Sequence, residues 1–141
     1  MKSFIYPIIC CACSFWGIVA ILPIGSLFAT RAPTQSEING ALCFFFSVPT
    51  IKSSVLFSIS HSWNGKKFCF QTIVNHLMHV AICCGCSVWG IAGLMQVGKL
   101  VEALQNINEL AQIIIAISAF FSIPIFAGII LNTIDSFLDS R

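Results

Sequence analysis

Apolar positions along this chain form long unbroken runs, not the stripes of a surface helix or the alternation of a half-buried strand. The first run, Phe4 to Ala29, contains no charged residue. The second, Gly40 to Ser60, is interrupted only by Lys52. The third, Leu77 to Gly98, and the fourth, Leu110 to Ile134, are again free of charge. About 20 apolar residues cover a hydrocarbon core roughly 30 Å thick, so each run is long enough to cross a bilayer as a helix. Polar breaks at Thr30–Asn39, His61–Phe70 and Lys99–Glu109 separate them. The pattern predicts an all-α integral membrane protein of four transmembrane helices, arranged as two helical hairpins, residues 1–70 and 71–141.

Composition agrees and narrows the function. Charged residues make up 9% of the 141 positions and hydrophobic ones 57%, against roughly 25% charged in an average globular protein. A disordered chain, a coiled coil, a basic nucleic-acid-binding face and a conventional soluble enzyme are excluded on that ground. A net charge of +2 is too small to steer an anionic partner. Orientation follows the Lys and Arg near the span ends. Lys2, Lys66, Lys67 and Arg141 would share one side and Arg31 and Lys99 the other, which predicts cytoplasmic termini. The first run exceeds the 7–15 residues of a signal-peptide core, and Pro33 follows its one small-residue site, so the segment is expected to stay in the mature protein.

A recurrence in the chain changes the picture. Ile9-Cys10-Cys11-Ala12-Cys13-Ser14-Phe15-Trp16-Gly17-Ile18 returns as Ile82-Cys83-Cys84-Gly85-Cys86-Ser87-Val88-Trp89-Gly90-Ile91, with eight of ten positions identical. Phe45-Phe46-Ser47-Val48-Pro49 returns as Phe120-Phe121-Ser122-Ile123-Pro124. The offset is 73 residues in the first block and 75 in the second. Such self-similarity reads as a tandem duplication of one hairpin. With two spans per unit, both copies insert in the same direction, as a parallel repeat. Pro49 and Pro124 should each kink a span, because the ring removes one helical hydrogen bond.

At about 100° per residue, Cys10, Cys13, Gly17 and Ala20 share a stripe about 80° wide, as do Cys83, Cys86, Gly90 and Gly93. A seam of small residues lets helices approach closely in lipid, and cysteine serves there as a small packing residue. Two other readings stand beside it. Cys10, Cys13, Cys83 and Cys86 could supply four thiolates to a metal ion. Cys10, Cys11, Cys83 and Cys84, near the cytoplasmic ends, are candidates for palmitoylation. His76 and His79 share a face at the start of the third span and are expected to sit at headgroup level, with His61 the one other histidine. Lys52 either snorkels to the interface or faces a pathway between the repeats, with Pro49 and Pro124 at its kinks.

No phosphate loop, nucleophile elbow or HExxH motif occurs. All five acidic residues are expected in loops or at the C-terminus, which argues against a proton-coupled transporter. Each half carries a Cys-Cys pair, a Gly-Ile step, a polar loop and a second span: Cys10-Cys11 with Gly17-Ile18, and Cys83-Cys84 with Gly90-Ile91. In this it resembles the dispanin hairpin of the interferon-induced transmembrane type. That resemblance implies a first helix that does not fully cross, acylated juxtamembrane cysteines, and a role in membrane fusion or trafficking. The bilobed layout is also similar to chlamydial inclusion-membrane proteins. The expected function is non-enzymatic helix–helix contact within the bilayer: membrane organisation, immunity or exclusion, or trafficking. The expected partners are lipid, further copies of the chain and other membrane proteins, with no cofactor and no nucleic acid. A small channel or transporter between the repeats, or a thiol or metal protein, are the alternatives.

Overall fold

The computed structural model describes residues 2–64 and 70–139. Four helices account for nearly all of them: α1 (Lys2–Ala29), α2 (Gln35–Asn64), α3 (Phe70–Ala103) and α4 (Glu109–Asp139). All four are long and apolar enough to cross a membrane, and the described residues contain no strand. At 1.5 Å per residue they run about 40–50 Å, longer than the hydrocarbon core alone requires.

The helices outrun the apolar runs because caps, not hydropathy, set their ends. Thr34 and Glu37 form a capping box at the start of α2. The Thr34 N–H donates to Glu37 Oε2 at 2.8 Å, and the Glu37 N–H donates to Thr34 Oγ1 at 3.4 Å. Arg31 pairs with the same carboxylate at 2.5 Å. The first connection therefore shrinks to residues 30–34. At the far end of α3, the Gln112 side-chain amide donates to the carbonyls of Leu104 and Ile107, each at 2.8 Å, which closes the turn at 104–108. The start of the third polar break, from Lys99, continues α3 as far as Ala103.

α1 and α3 form the centre and run in the same direction, since Tyr6 and His79, both near the start of their helices, pack ring against ring. α2 and α4 flank this pair and, among the described residues, do not touch one another. The most extensive interface is α1–α3, followed by α1–α4, and α1–α2 is the smallest. The two helices within each half thus pack less than helices from opposite halves.

The interior is made of small groups. Cys10, Cys13, Cys83 and Cys86 form one buried cluster with Tyr6, Leu56 and Leu131. Ser14, Ser53 and Ser87 are completely buried and donate to their own helix: Ser14 to the Cys10 carbonyl and Ser87 to the Cys83 carbonyl, both at 3.1 Å. Such back-bonding lets a hydroxyl sit in a dry interior without an unmet donor. Large apolar side chains instead cover the outside, among them Phe4, Leu22, Leu77, Met95 and Phe126. Small inside and large outside suits a bilayer, where side chains gain nothing by hiding from lipid and helix association rests on packing.

Candidate functional site

All eight positions of the two small-residue stripes are buried. At the centre of the seam the backbones of α1 and α3 touch. A Cβ placed on Gly17 would lie 2.0 Å from the Ser87 carbonyl oxygen, and one on Gly90 would lie 2.0 Å from the Ser14 carbonyl oxygen. Each glycine therefore turns a Cα–H toward a carbonyl of the opposite helix, a weak hydrogen bond that recurs where helices cross closely. Gly93 packs instead under the Trp89 and Phe120 rings.

One turn before this crossing, Cys10 and Cys13 of α1 and Cys83 and Cys86 of α3 are buried in one cluster. Among the described residues, no three His, Cys, Asp or Glu side chains converge as a metal site needs. Acylation of Cys10 or Cys83 would require the α1–α3 packing to open, since neither is exposed. Cys84 lies against Thr50 of α2, with Sγ 3.9 Å from the hydroxyl. The exposed thiol among the described cysteines is Cys43.

The prolines bring in a feature that the sequence reading missed. Pro49 and Pro124 are fully buried. Each removes the donor that would serve the carbonyl four residues earlier, at Phe45 and Phe120. Trp16 Nε1 of α1 donates to the Phe45 carbonyl at 3.0 Å, and Trp89 Nε1 of α3 donates to the Phe120 carbonyl at 3.0 Å. The two tryptophans, read from sequence only as markers of the recurrence, thus satisfy the two orphan carbonyls. The signal was present: a proline inside a span obliges some neighbour to supply a donor at position i−4. Because α2 and α4 lie on opposite sides of the central pair, Pro49 and Pro124 are not brought together along one path. Lys52 is half-buried on α2 beside the completely buried Ser53.

The acidic residues do not lie where the hydropathy profile suggested. All five fall within helices, and Asp135 of α4 enters the bundle. Its Oδ2 accepts from the Tyr6 hydroxyl, and its Oδ1 accepts from the Asn75 side-chain amide at 2.8 Å. One carboxylate therefore ties α1, α3 and α4 at the end of the bundle that holds both termini. The Asn75 amide oxygen is buried without a partner among the described residues. His79 lies inside rather than at a headgroup: it is 1% exposed, and its Nδ1 is 2.7 Å from the Asn75 carbonyl. His76 has Nε2 3.2 Å from Ser54 Oγ, and its ring and that of His79 both lie against Phe57. The two histidines take different polar partners, Ser54 and the Asn75 carbonyl, and the His61 side chain lies outside the described residues.

The tie has a measurable consequence. Hydrogen bonds to charged groups contribute about 1.5–3 kcal/mol. Tyr6→Phe should destabilise the bundle by about that much in a detergent-unfolding titration, and Asp135→Ala should abolish the difference between tyrosine and phenylalanine. Independent, additive costs for the two changes would show that the contact carries no energy.

No family model, curated protein or solved structure matches this chain.

Proposed function

We propose that the chain is a non-enzymatic, multi-pass membrane protein that acts by helix–helix contact, with further copies of itself or with other membrane proteins, in membrane organisation, exclusion or trafficking. The observation that carries this reading is the closed seam. Where a route between the two halves would run, the α1 and α3 backbones meet at Gly17 and Gly90, while large apolar side chains point outward from all four helices. An interior filled by thiols, hydroxyls and glycines leaves the outer faces as the surface available for recognition. The reading includes the duplication: two copies of a helix–loop–helix unit, both with cytoplasmic ends. The matched contacts support it, since the Trp16–Phe45 and Trp89–Phe120 bonds and the two glycine crossings relate residues at the recurring offsets.

A channel or transporter is the second reading, and Lys52, half-buried within an apolar helix, is the observation that favours it. Purified chain in liposomes separates the two. The contact reading expects no added proton, potassium or small-dye flux over protein-free vesicles, together with cross-linked dimers or larger species in mild detergent. Flux that Lys52→Leu abolishes, from a chain that cross-links only as monomer, would reverse the assignment.

A further inference from the structure

The recurrence that organises the chain is kept where the central helices cross and lost at the end that holds both termini. Trp16, Gly17 and Pro49 have identical counterparts in Trp89, Gly90 and Pro124. At the same offsets, Tyr6 stands against His79, Lys2 against Asn75 and Ser60 against Asp135. The packing devices therefore occur twice, whereas the cluster of Tyr6, Asn75 and Asp135 occurs once, drawn from α1, α3 and α4. A carboxylate inside an apolar span calls for a counter-charge. Asp135 has two neutral donors, Tyr6 and Asn75, and among the described residues the one ion pair joins Arg31 to Glu37. The same cluster holds the buried Asn75 amide oxygen, which has no partner among the described residues. Asp135 and Asn75 are each only partly buried, so the cluster is reached from outside the bundle.

We propose that Asp135 and Asn75 bind a single sodium ion at this end of the bundle. The Asn75 amide nitrogen stands 2.8 Å from Asp135 Oδ1. A half-turn of the amide about its Cβ–Cγ bond exchanges nitrogen for oxygen and sets two oxygens side by side. A cation against both is what holds them there. The amide oxygen gives up no hydrogen bond by turning, and the ion–oxygen contacts replace the N–H···O bond that is lost. Tyr6 holds the other carboxylate oxygen in place. An all-oxygen set selects a hard cation, and one carboxylate balances one charge. The close spacing of the oxygens favours sodium over the larger potassium, and water completes the shell on the exposed side. Once bound, the ion ties α3 to α4. The inference does not rest on the contact reading above.

The test measures equilibrium binding of radiolabelled sodium to full-length protein in lipid nanodiscs, with choline holding the ionic strength constant. The expected result is one saturable site per chain, displaced far better by unlabelled sodium than by potassium. In mixed micelles the unfolding midpoint should rise with the logarithm of sodium concentration once the site fills. Asp135→Asn, which keeps the shape and removes the charge, should weaken binding roughly tenfold or more. Asn75→Ala should weaken it too. Ser136→Ala should leave it unchanged, since that hydroxyl is bonded to its own helix at the Asn132 carbonyl. Asn75→Asp supplies an oxygen in either orientation and a second negative charge. It should bring calcium binding that the native chain lacks, a gain that misfolding cannot produce. No saturable sodium binding to the native chain, equal displacement by potassium, or undiminished binding in Asp135→Asn would overturn the proposal.

Discussion

Trp16→Phe and Trp89→Phe will each destabilise the bundle by about 1–3 kcal/mol, and Pro49→Ala and Pro124→Ala, respectively, will remove most of that cost. Phenylalanine keeps the ring and its packing but loses the indole N–H, so the Phe45 or Phe120 carbonyl is left without its donor at 3.0 Å. Water could solvate that carbonyl in a soluble protein. In hydrocarbon nothing does, and an unmet backbone group there costs several kcal/mol. Alanine at position 49 or 124 restores a backbone N–H, which can close the ordinary i→i−4 bond and make the indole dispensable. The expected signature is a coupling between cognate pairs only. Trp16→Phe with Pro49→Ala should be far better than the sum of its parts, whereas Trp16→Phe with Pro124→Ala should be additive, because those sites lie on opposite sides of the bundle. Unfolding titrations in mixed micelles, run on the full double-mutant cycles, measure this. Additive behaviour in both cognate cycles would mean that the indole bonds do not serve the proline gaps.

The four helices were legible because hydrocarbon imposes a coarse rule on sequence: runs of about 20 apolar residues stand out at any reading distance. Their ends were not, since Thr34, Glu37 and Gln112 set them through specific hydrogen bonds that hydropathy does not register. The small-residue stripes could be placed on one face by geometry alone. Their partner could not: nothing in the order of residues says that Gly17 meets Ser87 rather than a residue of α2. Asp135 was overlooked for a related reason. One residue past the last apolar run, it reads as the edge of a loop, and only the convergence of three helices puts Tyr6 and Asn75 on its two oxygens. The lone tyrosine of the chain, set in an otherwise apolar first span, was the available hint, because a buried phenol needs a partner. Similarly, the sequence suggests neighbouring helices pair most strongly, whereas the flanking helices lean on the central helix of the opposite half.

Gly17→Ala and Gly90→Ala should be the most damaging single-methyl changes in the chain, on the order of 3 kcal/mol each. The added carbon at position 17 would lie 2.0 Å from the Ser87 carbonyl oxygen and 2.9 Å from its carbon; at position 90 it would lie 2.0 Å from the Ser14 oxygen and 3.3 Å from Gly17 Cα. Every one of these atoms is backbone, so no rotamer change relieves the clash, and α1 and α3 must move apart along their length. Separation forfeits the Cα–H···O contacts and loosens the buried cysteine cluster one turn away. Since both changes force the same separation, the double variant should cost less than the sum of the singles. Gly25, Gly85 and Gly98 provide the contrast, because a Cβ on any of them meets nothing within 4 Å. Alanine there should be neutral or stabilising by up to about 1 kcal/mol, the usual gain from replacing a helical glycine. Unfolding midpoints in mixed micelles rank the variants. The ranking also bears on function. If Gly17→Ala proves as harmless as Gly85→Ala, the seam is open enough to accept a side chain. The space between the halves then becomes available to a solute, and the case for a contact protein over a transporter loses its main support.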